Sequence, residues 1–155
     1  MSSTDAGGKK AIRHVLLVED DVNDALLTTR YLERWRQPIS VEVLSTLGEA
    51  NSFLQSLSQA RPPALILLDH MLPGGSSIEL VKAIREHPTL QTVPVVVLTG
   101  NSDGQIVQRA REAGANSCVL KPIDPEDYER TVSAIAEFWI GANLVVRPED
   151  RATVV

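Results

Sequence analysis

Residues 65–69 read Leu-Ile-Leu-Leu-Asp, a run of four apolar residues that ends on a carboxylate. Residues 95–99 repeat the arrangement as Val-Val-Val-Leu-Thr. Half-exposed strands alternate apolar and polar residues, and neither run does so. Unbroken apolar runs are typical of parallel strands that are covered on both faces. The two stretches therefore predict a buried parallel sheet whose strands end in polar groups.

The rest of the chain alternates in the same way. Further apolar runs stand at 15–18, 41–44 and 117–120, and segments of helical period stand at 24–36, 48–59, 77–86, 103–113 and 125–139. Five strand–helix units in succession predict an α/β fold with helices on both faces of the sheet. Two apolar stripes at helical spacing are interpreted as core packing: Leu27, Tyr31 and Trp35, then Tyr128, Val132, Ile135 and Trp139. Ser77 and Asp103 are candidate helix caps, and Gly114 is a candidate helix end.

The composition excludes several classes of function. The chain has 155 residues, 20 acidic and 15 basic, and a net charge of −5. Without a cluster of Lys and Arg, direct binding to nucleic acid is not expected. A single cysteine, Cys118, excludes an intramolecular disulfide and a cysteine-only metal site. The first 30 residues contain nothing like a signal peptide or membrane span, so the cytoplasm is expected and a membrane partner is not.

The domain organisation is predicted from the chain ends. Residues 1–11 are mostly small and polar, as in a disordered head, and residues 12–140 hold the fold. The remaining tail, 141–155, is too short for an attached output domain, because domains rarely have fewer than about 50 residues. One folded domain without an output domain is therefore expected.

Polar residues follow four of the five predicted strands. In a doubly wound sheet, ligands bind outside the carboxyl ends of the strands. The residues at these ends are Glu19, Asp20 and Asp21, then Asp69, then Thr99 and Gly100, then Lys121 and Pro122. Carboxylates, a hydroxyl and an amine from separate segments thus meet at one edge, which is more specific than any single motif.

This set of groups is suited to phosphoryl transfer. Crowded carboxylates raise one another's pKa unless a cation compensates, and an all-oxygen set favours Mg²⁺. Beside Mg²⁺, Asp69 stays ionised and can attack phosphorus. The hydroxyl of Thr99 can donate to one phosphoryl oxygen and Lys121 can neutralise another. Gly100 has no side chain to block the phosphorus.

The motifs Val-Glu-Asp-Asp at 18–21, Leu-Asp-His-Met-Leu-Pro-Gly at 68–74, Leu-Thr-Gly at 98–100 and Leu-Lys-Pro at 120–122 resemble the receiver domain of two-component response regulators. The likeness runs from about Ile12 to Trp139. It implies a flavodoxin-like (βα)5 fold with strand order 2-1-3-4-5. It also implies that Asp69 accepts a phosphoryl group from a phosphohistidine of a sensor histidine kinase. Such a protein catalyses only its own phosphotransfer and slow dephosphorylation, and is not otherwise an enzyme.

The resemblance also implies roles for individual residues. Mg²⁺ would be bound by Asp69, by Asp20 directly, by Glu19 through water and by the backbone carbonyl of Met71. Thr99 would be the switch hydroxyl and Lys121 the phosphate partner, with a cis peptide bond to Pro122 that directs the amine inward. Cys118 stands where receivers commonly carry a switch aromatic, which leaves Thr99 and the loop after it to pass on the signal.

A finer likeness concerns the ends of the domain. The Glu-Asp-Asp start, the long segment 31–38 and the Phe138-Trp139 ending are similar to stand-alone regulators that serve phytochrome-type histidine kinases. Those relatives tend to form homodimers through the last helix. The apolar residues expected at such an interface are Phe138, Trp139, Ile140, Leu144 and Val145. The alternative is that the tail folds back on its own domain.

Two other functions were weighed against phosphoryl acceptance. A Mg²⁺-dependent phosphatase of the haloacid dehalogenase type needs a second Asp two residues after its nucleophile, and Met71 stands there. A receiver-like module that only dimerises, independently of phosphate, would be expected to have lost Asp69, Asp20 or Lys121, which are all present. Both remain alternatives to be tested.

Overall fold

The computed structural model describes residues 11–57 and 61–142. Nearly all of the predicted head and most of the predicted tail, including Leu144 and Val145, lie outside the described residues. The predictions made for these two segments therefore stay predictions.

Five parallel strands form the central sheet. They are β1 (Arg13–Val18), β2 (Ile39–Leu44), β3 (Leu65–Asp69), β6 (Val95–Thr99) and β7 (Ser117–Leu120). Their order is β2-β1-β3-β6-β7, which confirms the expected order 2-1-3-4-5 of the parallel strands. Val18 lies opposite both Leu44 and Leu68, and Asp69 lies opposite Leu98. This register brings the carboxyl ends of β1 and β3 side by side.

Helices connect the strands and cover both faces of the sheet. They are α1 (Val22–Glu33), α2 (Leu47–Ser56), α3 (Ile78–Glu86), α4 (Gly104–Ala113) and α5 (Pro125–Ala136). In β3, Ile66 and Leu68 face a core formed with α2, α3 and α4, whereas Leu65 and Leu67 face a core formed with α1 and α5. All four side chains are fully buried, which explains why the strand has no polar alternate. Within the described ranges, no helix is both long and apolar enough to cross a membrane.

The aromatic stripes pack into the second of these cores. Tyr31 and Tyr128 are buried and meet edge to face, with ring centroids 5.8 Å apart. Leu27, Trp35 and Trp139 are partly buried against the same core. The interpretation of the stripes as core packing is therefore confirmed.

Helix ends agree with two of the three expected signals. The Asp103 side chain accepts from the N–H of Gln105 at the start of α4, and Gly114 ends that helix with φ 115°. Ser77 makes no capping bond, because its backbone is already helical and its hydroxyl is buried. The hydroxyl of Ser76 accepts the N–H of Ile78 instead, at 3.2 Å.

A short hairpin was not predicted. It consists of β4 (Met71–Leu72) and β5 (Gly75–Ser76), which pair antiparallel. Gly74 in the turn and Gly75 at the start of β5 have φ of 101° and 140°, a conformation that side chains disfavour. The strands are too short to show a periodic pattern, and only the glycines signal the turn.

The last described segment is a π-helix, Glu137–Ala142, that follows α5. Ile140 is only 4% exposed and packs in the core one turn after the buried Ala136. The expectation that Ile140 belongs to a dimer interface is therefore wrong, because its own domain buries it. Phe138 is 55% exposed and Trp139 is half-buried, so these two remain accessible.

Candidate functional site

Three carboxylates meet at the carboxyl edge of the sheet. Glu19 and Asp20 follow β1, and Asp69 ends the neighbouring β3. One carboxylate oxygen from each of the three lies within 4.8 Å of the other two. Glu19 is buried, Asp69 is half-buried and Asp20 is exposed, so the cluster opens to solvent on the side of Asp20.

The electrostatics of the cluster favour a cation. Burial and, next, hydrogen bonding to Asp69 together raise the pKa of Glu19 to about 8, against the opposing effect of Lys121. The three carboxylates therefore repel one another when all of them are ionised. A divalent metal relieves this repulsion, and an all-oxygen set without Cys or His fits Mg²⁺. Glu19, Asp20 and Asp69 are thus the side chains that would hold Mg²⁺. Met71 lies just beyond them in β4, and the ligand role of its carbonyl stays a prediction.

Lys121 reaches this cluster from the end of β7. Its Nζ donates to Oε1 of Glu19 at 3.2 Å and to Oδ2 of Asp24 at 3.1 Å. Burial opposes the charged amine, but the negative charges of Glu19 and Asp69 outweigh it and raise the pKa of Lys121. The amine is therefore a permanent positive charge beside the carboxylates.

The expected cis peptide bond between Lys121 and Pro122 is wrong, since the described residues contain no cis peptide bond. The trans form is favoured before proline by about 0.5–1 kcal/mol. In this form the N–H of Lys121 donates to the carbonyl of Thr99 at 2.7 Å, and the long side chain still reaches Glu19.

Thr99 ends β6 and is buried. Its hydroxyl oxygen accepts the N–H of Asn101 at 3.0 Å, and the hydroxyl lies 3.3 Å from the carbonyl of the same residue. The hydroxyl is thus bound within its own loop. A Cβ placed on Gly100 would meet no heavy atom within 4 Å, so the space beside that residue is open as expected.

Asp24 is the site residue that sequence reasoning missed. It lies in the first turn of α1, where the side chain of Asp21 accepts its N–H at 2.8 Å. Helices of a doubly wound sheet begin at the edge where the strands end, so an acidic residue in the first turn lies near the site. That position was the available signal.

Comparison with known proteins identifies the fold and the family. The chain matches the response regulator receiver domain over residues 15–133. The chain belongs to the response regulator receiver family. A curated relative, "Probable methanogenesis regulatory protein FilR2" of Methanothrix harundinacea, is 34% identical over 131 residues, which cover 83% of this chain and 84% of FilR2.

Solved structures of a phytochrome response regulator, RcpA, and of the response regulator Rcp1 are similar to this receiver. Phosphorylated cyanobacterial RcpA has a TM-score of 0.81 and 28% identity, and the match covers 87% of this chain and 99% of RcpA. The Mn²⁺-bound form of Rcp1 has a TM-score of 0.77 and 29% identity, with 86% and 98% covered. The resemblance to regulators of the phytochrome type is therefore confirmed.

One position where this receiver departs from the common pattern is Cys118. It is half-buried against the core of α2, α3 and α4, and burial raises the pKa of its thiol. Cys118 thus packs as a small apolar residue and is not a reactive thiolate.

Proposed function

We propose that this receiver accepts a phosphoryl group on Asp69 from a phosphohistidine of a sensor histidine kinase, with Mg²⁺ bound beside it. The signal then passes on through a change of conformation or of a dimer interface. The observation that carries the proposal is the carboxylate cluster of Glu19, Asp20 and Asp69, whose oxygens lie within 4.8 Å of one another. The protein acts on no external substrate and catalyses only its own phosphotransfer and slow dephosphorylation.

Asp69 is the nucleophile in the proposed reaction. One carboxylate oxygen forms a bond to phosphorus while the phosphorus–nitrogen bond breaks, and the imidazole nitrogen keeps the electron pair. When bound, Mg²⁺ would neutralise part of the charge that the phosphoryl oxygens bring to the three carboxylates. The charged amine of Lys121, already beside Glu19, neutralises a further oxygen.

Thr99 carries the signal in this proposal. To donate to a phosphoryl oxygen, its hydroxyl must give up the proton that it shares with the carbonyl of Asn101 at 3.3 Å. The side chain of Asn101 in turn accepts the N–H of Asp103 at 2.9 Å, and Asp103 caps α4. Turning the Thr99 hydroxyl therefore perturbs the loop that starts α4, without any need for an aromatic switch at position 118.

The test is phosphorylation by acetyl phosphate with Mg²⁺, followed by Phos-tag electrophoresis. We expect the wild-type chain to gain a retarded band and Asp69→Asn to gain none. Glu86→Gln, at the exposed last residue of α3, removes the same charge away from the site and should behave like the wild type. Equal bands for Asp69→Asn and the wild type would overturn the proposal.

The two alternatives have their own outcomes in this test. A phosphatase of the dehalogenase type would release phosphate continuously from p-nitrophenyl phosphate. We expect no such turnover, since Met71 offers no proton to the leaving group. A module that only dimerises would have the same dimer mass in solution for the wild type and Asp69→Asn, with or without acetyl phosphate.

We also propose that the partner is a histidine kinase of the bacteriophytochrome type and that the two meet in the cytoplasm. The similarity to RcpA and Rcp1 supports this partner. The net charge of −5 gives no support to direct contact with nucleic acid. Phosphotransfer profiling against the histidine kinases of the same cell tests the partner, and transfer only from kinases of other classes would contradict it.

A homodimer through the end of α5 is proposed as well. Phe138 is exposed and packs edge to face on Trp139, with ring centroids 4.7 Å apart. Glu137 holds this segment by accepting from Trp35 Nε1 at 2.9 Å and from the guanidinium of Arg36 at 2.9 Å and 3.2 Å. The interface is therefore presented on a fixed surface.

Sedimentation velocity tests the dimer. Phe138→Ser should shift the chain toward the monomer at a given concentration, because the substitution removes an exposed aromatic ring without opening the core. Val22→Ser, at an exposed position on α1, is the matched control and should leave the dimer intact. A wild-type chain that stays monomeric at every concentration would refute the interface.

A further inference from the structure

Lys121 has two counter-ions on different elements. Glu19 belongs to the carboxylate cluster at the end of β1, whereas Asp24 lies on α1 outside that cluster. The two ion pairs have nearly equal lengths, 3.2 Å and 3.1 Å. The side chain of Glu19 is 3% exposed and that of Asp24 is 38% exposed, so only Asp24 faces the solvent side of the amine.

Asp24 is held in place independently of Lys121. Its N–H donates to the side chain of Asp21 at 2.8 Å, and its carbonyl accepts the hydroxyl of Thr28 at 2.7 Å. Thr28 is itself hydrogen-bonded to Tyr128 of α5. The backbone of Asp24 is therefore held within α1, by bonds that do not involve the amine.

The proposed phosphoryl group and Asp24 need the same donor. A phosphoryl group on Asp69 brings oxygens that must be neutralised by Lys121, and the hydrogen bonds of this amine in the described structure go to Glu19 and Asp24. If Mg²⁺ takes up the charge of Glu19, Asp24 remains as the counter-ion that retains the amine. Reaching a phosphoryl oxygen then means leaving Asp24.

We propose that Asp24 is a positioning residue that holds Lys121 in the unphosphorylated receiver and competes with the phosphoryl group for it. The proposal rests on the proposed function, because it presumes an anion bound at Asp69. It assigns to α1 a restraint on phosphorylation: the Asp24–Lys121 pair must break each time the site is occupied.

The experiment measures the affinity for beryllofluoride, an analogue of the phosphoryl group, by ¹⁹F NMR at saturating Mg²⁺. Asp24→Asn keeps the shape of the side chain but loses its charge, so we expect beryllofluoride to bind about three- to tenfold more tightly. Asp21→Asn is the matched control, since it removes the same charge three residues away and Asn caps helices as well as Asp. It should change the affinity less than about twofold, because the Asp21 side chain is exposed and the ion pairs of Lys121 go to Glu19 and Asp24.

A second measurement separates competition from a general structural effect. In a Lys121→Ala background, Asp24→Asn should have no more effect than Asp21→Asn, because the residue acts only through the amine. The inference is overturned if Asp24→Asn binds no more tightly than Asp21→Asn, or if it binds more weakly than the wild type. A wild-type chain that binds no beryllofluoride refutes the proposed function itself, which distinguishes the two failures.

Discussion

At the scale of the residue, Glu19 determines how the site responds to pH. Burial, then hydrogen bonding to Asp69, raises the pKa of Glu19 from 4.5 to about 8. The folded, metal-free chain thus holds a proton that the unfolded chain has released, so this group makes the free energy of unfolding fall as pH rises through that window. Mg²⁺ at the proposed site would bind the deprotonated form, and its affinity should therefore increase as pH approaches 8.

Thermal unfolding with EDTA or MgCl₂ checks this prediction. The rise in Tm caused by Mg²⁺ should be larger at about pH 8.5 than at about pH 6. Glu19→Gln is the control variant, because an amide carries no titrating proton, and it should lose most of this pH dependence. An equal rise in Tm at both pH values for the wild type would contradict the assigned role of Glu19.

Residues whose positions are set by the backbone could be predicted from the sequence. Glu19, Asp20 and Asp69 stand at the ends of buried strands, so the sheet itself brings them together. Asp24 was missed because its role depends on where the flexible side chain of Lys121 ends, which no periodic pattern encodes. The peptide bond between Lys121 and Pro122 was wrongly expected to be cis. The Lys121 side chain is long enough for its amine to reach the carboxylate cluster from a trans bond.

At the scale of the element, one buried hydrogen bond joins α1 to α5. Thr28 donates its hydroxyl proton to the carbonyl of Asp24, so in the pair with Tyr128 the tyrosine is the donor. Both side chains are buried. Thr28→Val therefore leaves the Tyr128 hydroxyl buried without an acceptor, which costs about 1–3 kcal/mol of stability.

Tyr128→Phe is the matched substitution on the other helix. It leaves the Thr28 hydroxyl bonded to Asp24, so its cost should be smaller, about 0.5–1.5 kcal/mol. Urea denaturation of the two variants measures the difference. If Tyr128→Phe destabilises the protein more than Thr28→Val, the assigned direction of the hydrogen bond is wrong.

The limits of the helices and hairpin were less predictable than the strands. The apolar stripe predicted a helix to Trp139, but the regular helix ends at Ala136 and continues as a π-helix that buries Ile140. A short apolar stripe is compatible with both helix types. Over a single turn the α-helix and the π-helix differ mainly in backbone hydrogen bonding, which the pattern of apolar residues does not show. The expected interface therefore included one residue that belongs to the core.

At the scale of the whole molecule, two sets of exposed apolar side chains lie at separate places. Val22 and Leu26 on α1 and Ile123 in the loop after Lys121 surround the carboxyl edge of the sheet. Phe138 lies beyond the other end of α5, since the adjoining Glu137 contacts the end of α1. This separation would let the proposed phosphodonor and the proposed second copy of the chain bind without excluding each other.

In the proposed reaction a phosphodonor protein would approach the carboxyl edge, since its phosphohistidine would have to reach Asp69. Ile123 is fully exposed, two residues after Lys121, and such a side chain gains most from burial by a partner. Ile123→Asp should therefore slow phosphotransfer from the histidine kinase by about tenfold or more. Acetyl phosphate needs no protein contact, so its rate should change less than about twofold.

Phe138→Asp places the same charge at the far end and should leave the kinase reaction near the wild-type rate. Comparing the histidine kinase with acetyl phosphate separates an effect on docking from an effect on the site. Equal losses with kinase and acetyl phosphate would mean that Ile123 acts on the site itself and not on docking. A loss from Phe138→Asp in place of Ile123→Asp would put the kinase at the end of α5, where it would compete with the dimer.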